Sequence, residues 1–70
     1  MKFAVVLEQG PSSWGAYVPD LPGCIATGAT EEEVVRLIQE AVEFHIEGMK
    51  LEGYEIPQPT SRVSFVEIAA

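Results

Sequence analysis

The sequence predicts a single α+β domain with the element order β-β-β-α-β, and three observations carry that prediction. Short runs of alternating apolar residues fill positions 2–28, a long amphipathic stretch follows a Thr-Glu-Glu-Glu start, and another apolar run occupies positions 62–68. No internal repeat or low-complexity tract divides the chain, so residues 1–70 read as one domain.

The first run, Lys2 to Gln9, is rich in valine and phenylalanine and is expected to form a strand. Gly10-Pro11-Ser12-Ser13 interrupts it, and Trp14 to Val18 resumes the alternation, which makes the pair a hairpin. Asp20-Leu21-Pro22-Gly23 then places proline and glycine in the order a type II turn favours, and Cys24 to Gly28 gives a third short strand. The expected product is a three-stranded antiparallel meander.

Thr30 followed by Glu31, Glu32 and Glu33 has the form of a capping box. The threonine hydroxyl accepts from the amide three residues on, and Glu33 reaches back to the threonine amide. The three glutamates also complement the positive end of the helix dipole. From Val34 the residues Ile38, Ala41, Val42, His45 and Met49 fall on one side, and Arg36, Gln39, Glu40, Glu43 and Glu47 on the other. The helix is expected to run to about Glu52, with Gly53 as its C-terminal cap and Pro57 and Pro59 preventing resumption.

Arg62 to Ile68 is expected to be a fourth strand, returned by the helix to lie parallel to the first in a right-handed crossover, which gives the sheet order 3-2-1-4. Phe3, Val5 and Leu7 oppose Ala4 and Val6 in the first strand, and Val63 and Phe65 oppose Val66 and Ile68 in the fourth. Both faces are apolar there, whereas one helix covers only one face. A homodimer or higher oligomer, or another partner, is expected on the second.

Composition narrows the function. Eleven acidic residues against four basic ones give a net charge of −7, which repels phosphate backbones and argues against direct binding of nucleic acid. The same charge steers encounter with a basic protein. No apolar run approaches a membrane span, and the N-terminal alternation is too short for a signal-peptide core, so a cytoplasmic protein with no membrane partner is expected. The lone Cys24 permits no internal disulfide.

Chemistry-bearing constellations are absent from the sequence. His45 lies in the helix's apolar stripe without a second histidine or cysteine nearby to complete a metal site, and Cys24 has no basic neighbour to lower its pKa. Ser12 and Ser13 sit in a turn without a base, and the glycines form no phosphate-binding loop ahead of a helix. A metal-dependent nuclease needs carboxylates projecting from the middle of a central strand, and Phe3 to Leu7 contains none. No enzymatic activity, catalytic residue, metal or cofactor is expected. Trp14 and Tyr17, three apart on a strand, project to opposite faces, so at least one is available to a partner.

The run Tyr17-Val18-Pro19-Asp20-Leu21-Pro22-Gly23-Cys24, then Thr27-Gly28-Ala29-Thr30 and the glutamate-rich helix start, resembles the HicB-like antitoxins of type II toxin–antitoxin systems. The helix and its exit Gly53-Tyr54-Glu55-Ile56-Pro57-Gln58-Pro59 extend the resemblance over most of the chain. It implies a partial ribonuclease-H-like fold without catalysis, and a partner: a small basic HicA-like toxin that cuts RNA through a histidine and is inhibited when its active surface is covered. Many members carry a C-terminal ribbon-helix-helix or helix-turn-helix segment that binds their operator; residues 1–70 resemble a short member without it. Expected partner-binding residues are Trp14, Tyr17, Asp20, Glu43 and Glu47. The alternatives from other classes are a residual metal-dependent nuclease and an orphan self-assembling scaffold domain.

Overall fold

A computed structural model describes all residues, 1–70. Strands β1 (Val6–Gln9), β2 (Trp14–Tyr17) and β3 (Ile25–Gly28) precede one helix, α1 (Glu31–Leu51). The α+β class and the antiparallel meander agree with the sequence. The strands lie in the order β1-β2-β3, with Val6 opposite Tyr17, and Tyr17 in turn opposite Ile25.

Turn chemistry fixes this register. The amide of Gly10 donates to the Ser13 carbonyl at 2.8 Å and closes the first hairpin. The second connection is anchored by Leu21, whose carbonyl accepts from the Cys24 amide at 3.0 Å across a turn with Pro22 and Gly23 at its centre. Gly23 has φ +84°, the left-handed value that the third residue of a type II turn requires. The turn thus begins at Leu21, one residue later than the sequence motif suggests.

Leu21 is completely buried and belongs to a core of Ala16, Val18, Leu21, Cys24, Val34 and Ile38. Phe3, Val5, Leu7, Trp14, Ala26, Ala41, Val42, Ile46 and Met49 pack around it. The inward residues of the sheet are the alternate ones of each strand, and those of α1 recur at helical spacing, so α1 lies across a single face.

Both ends of α1 are sealed as the sequence predicts, with one difference. The Thr30 hydroxyl oxygen accepts from the Glu33 amide at 3.1 Å, but the Glu33 carboxylate accepts from the amide of Ala29, at 3.0 Å, and not from that of Thr30. The side chain reaches one residue further and satisfies the donor just ahead of the cap. At the other end Tyr54 donates to the Met49 carbonyl and Gly53 to that of Lys50, the paired bonds of a Schellman motif, with Gly53 at φ +76°. Thr30→Ala removes the acceptor at the helix start and is expected to cost about 1 kcal/mol; a urea denaturation curve will show it as a lower midpoint with unchanged slope.

The expected fourth strand does not form within the chain. Residues 62–68 make no ladder with β1, and the order 3-2-1-4 is represented only by its first three places. The physical reason lies in what precedes and what surrounds them. Thr60 and Ser61 are bonded to Asp20, in the β2–β3 connection, and from there the chain leaves the body. A strand with apolar residues on both faces also needs cover on both, and this chain has one helix. Phe65 is 92% exposed and Ile68 80%.

Candidate functional site

The face of the sheet opposite α1 is uncovered, and its residues follow from strand alternation. Ala16 points into the core, so its neighbour Tyr17 points outward. Residues directly opposite in an antiparallel ladder share a face, which places Val6, Tyr17 and Ile25 in one row across all three strands. Tyr17 is 40% exposed, Ile25 67%, and Val6 half-buried. The next outward row is Glu8, Gly15 and Thr27, where the glycine leaves a gap in the middle and Glu8 supplies a negative charge. This apolar row with a polar margin is suited to docking a partner's apolar side chain, with the tyrosine hydroxyl as a hydrogen-bonding group.

The structure distributes the five sequence-predicted contact residues over four places. Tyr17 stands on the open sheet face. Trp14 shares the inward side with Ala16 and packs against the core beneath α1. Glu43 and Glu47 are exposed on α1, one turn apart, beside a groove between the helix and the N-terminal residues Met1 and Phe3. The pair is therefore brought together, but on the side of the molecule away from the open sheet face.

Asp20 occupies the fourth place. Its Oδ2 accepts from the Thr60 amide at 3.0 Å and from the Ser61 amide at 2.9 Å, while Oδ1 accepts from the Ser61 hydroxyl at 2.8 Å and the Thr60 hydroxyl at 3.3 Å. These bonds, led by that from the Ser61 amide, lower the carboxyl's pKa below its ordinary value of 3.8 and favour the ionised form. Here the carboxylate acts as a clamp between the β2–β3 connection and the segment following the helix.

The remaining reactive groups are absorbed by packing. Cys24 is a free thiol, 3% exposed, and burial raises its pKa, which favours the unreactive protonated form. His45 is half-buried on the helix beside Phe44, Met49 and Tyr54. No three His, Cys, Asp or Glu side chains are grouped to hold a metal ion. No helix is long and apolar enough to cross a membrane.

Val6 and Ile25 are the surface residues that sequence reasoning missed. The signal was present in the hairpin spacing: once the turns are placed, pairing around Tyr17 sets both residues beside it.

Comparison with known proteins locates this arrangement. The profile of the HicB-like antitoxin of bacterial toxin–antitoxin systems matches residues 3–68. An uncharacterized protein of the rep-hol intergenic region of Haemophilus phage HP1 is 36% identical over 58 residues, covering 83% of this chain and 44% of the phage protein. Antitoxin HicB 2 of Photorhabdus laumondii is 31% identical along the whole chain, which spans 51% of that antitoxin. A UPF0150 protein of Helicobacter pylori is 30% identical over 99% of this chain and 97% of its own length. The chain thus spans about half the length of the first two relatives and nearly all of the third. No solved structure matches.

Proposed function

Because the chain belongs to the HicB-like antitoxin family of bacterial toxin–antitoxin systems, we propose that it acts by binding a small basic HicA-like toxin and covering the toxin's RNA-cleaving surface. The observation that carries this reading is the uncovered row of Val6, Tyr17 and Ile25 on a protein of net charge −7. Charge and contact then have separate tasks. The acidic surface, Glu43 and Glu47 included, accelerates encounter with a cationic partner over distances set by a Debye length of about 8 Å at physiological salt. The tyrosine row supplies the short-range, water-excluding contact that slows dissociation. In this reading the protein does no chemistry of its own, works in the cytoplasm beside its toxin, and inhibits by occlusion.

The same membership supports a reading of the fold: β1 to β3 and α1 are the body of a partial ribonuclease-H-like sheet whose fourth place, beside β1, is filled by an apolar strand in the order 3-2-1-4.

The test is co-expression with the small basic protein encoded next to it, followed by affinity capture and binding kinetics at two salt concentrations. A complex is expected whose association slows as salt rises while dissociation changes little. Glu43→Lys combined with Glu47→Lys is expected to slow association, and Tyr17→Ala to speed dissociation on the order of 30-fold, the size of an interface anchor. Failure to form a complex with that neighbour defeats the proposal.

A further inference from the structure

The chain carries an unfilled strand position and an unused strand. Beside β1 the sheet ends, since β1 pairs only with β2. Ahead of the N-terminal end of β1 lies a groove of about 460 Å³ between the N-terminal residues Met1 and Phe3 and the helix residues Val42 and Ile46, with Glu43, Glu47 and Lys50 also lining it. Phe3 and Val42 also pack on the core, so the groove opens directly onto it. A strand added parallel to β1 and reaching back beside Met1 and Phe3 would pass over this groove.

The unused strand is the arm that follows the Asp20 clamp. Val63 and Phe65 alternate with Val66 and Ile68, 56–92% of their surfaces exposed. Its backbone amides donate to no backbone carbonyl, and the Thr60 and Ser61 amides just ahead of it donate to the Asp20 carboxylate. The departure of the arm is measurable in the whole molecule, whose radius of gyration is 13.8 Å against about 11 Å for a compact domain of this length. Only 6 of 70 residues are buried, so the body lacks part of its cover.

From this complementarity we propose that two copies exchange arms, residues 62–68 of each adding as a fourth strand to the free edge of β1 of the other, with Phe65 entering the groove over Val42 and Ile46. Two features select a second copy as the occupant. The missing piece has the length, alternation and apolar composition of the arm itself, and one chain presents both halves. Reciprocal exchange is isologous and closes on a pair, leaving no free β1 edge for further growth. The exchange uses a different face from the Val6–Tyr17–Ile25 row, and it stands without the antitoxin reading.

The full chain is tested by sedimentation equilibrium and by isotope-filtered NMR on a dimer mixed from labelled and unlabelled copies. The expected result is a dimer at tens of micromolar with intermolecular Overhauser contacts from the Phe65 ring to the Val42 and Ile46 methyl groups. Phe65→Asp is expected to weaken dimerisation on the order of 100-fold while the circular dichroism of the dissociated chain is retained, because Phe65 is 92% exposed in its own copy and takes no part in its core. A monomeric wild type overturns the proposal. So does a dimer indifferent to Phe65→Asp, or one whose Phe65 contacts arise within a single copy.

Discussion

Leu21→Ala is expected to cost about 2–5 kcal/mol, the range for deleting a buried leucine, and to leave much of the population unfolded in dilute urea. Leu21 is completely buried, sits in a core of only six residues and also carries the backbone of the turn that sets the register of β2 and β3. A cavity here collapses only by moving its core neighbours, which include Val34 and Ile38 of the helix. Domains hold native structure by about 5–15 kcal/mol, and one of 70 residues has little surface to bury. Val34→Ala, on the facing helix and equally buried, should behave alike. Far-ultraviolet circular dichroism during urea titration will decide it, and a midpoint within error of wild type would mean that the turn's leucine is not a core residue.

The second large effect is at Asp20. Asp20→Ala removes acceptors for two amides and two hydroxyls at once and should release residues 60–61, seen as loss of hydrogen-exchange protection at the Thr60 and Ser61 amides. Asp20→Asn should retain much of that protection. Its carbonyl oxygen takes the place of Oδ2 under the two amides, and its amide group donates to the two hydroxyl oxygens. The clamp also predicts a pH dependence with a definite sign. The native carboxyl titrates below the ordinary value of 3.8, so the clamp's contribution is present in full above that value and is lost as pH falls below it towards the native pKa. Protection of both amides should therefore fade in acid in the wild type, while Asp20→Asn removes this dependence.

Most of the fold was legible because it is set locally. Thr30 and Gly53 bracket α1 by side-chain and backbone chemistry that needs no distant contact, and Pro22-Gly23 specifies its own turn. The fourth strand expected over residues 62–68 does not form within the chain, because alternation marks the segment as apolar on both faces without supplying an edge to receive it. The Asp20 clamp spans 40 residues and left no local signal beyond an aspartate in a turn. Among the candidate contact residues, opposite facing of Trp14 and Tyr17 followed from their spacing. The side on which each lies depended on where α1 packs, which the strand sequence does not contain. Glu43 and Glu47 were legible as exposed from helical periodicity, whereas their position beside the groove between α1 and the N-terminal Met1 and Phe3 was a matter of tertiary geometry.

The most direct test of the proposed antitoxin role is rescue of growth. A small basic HicA-like toxin, the partner proposed above, is expressed alone, then with this chain, then with the chain carrying Tyr17→Ala and Ile25→Ala. The account predicts growth arrest in the first case, recovery in the second and impaired recovery in the third, with the variant present at wild-type level. Arrest that persists in the presence of folded wild-type chain would contradict it.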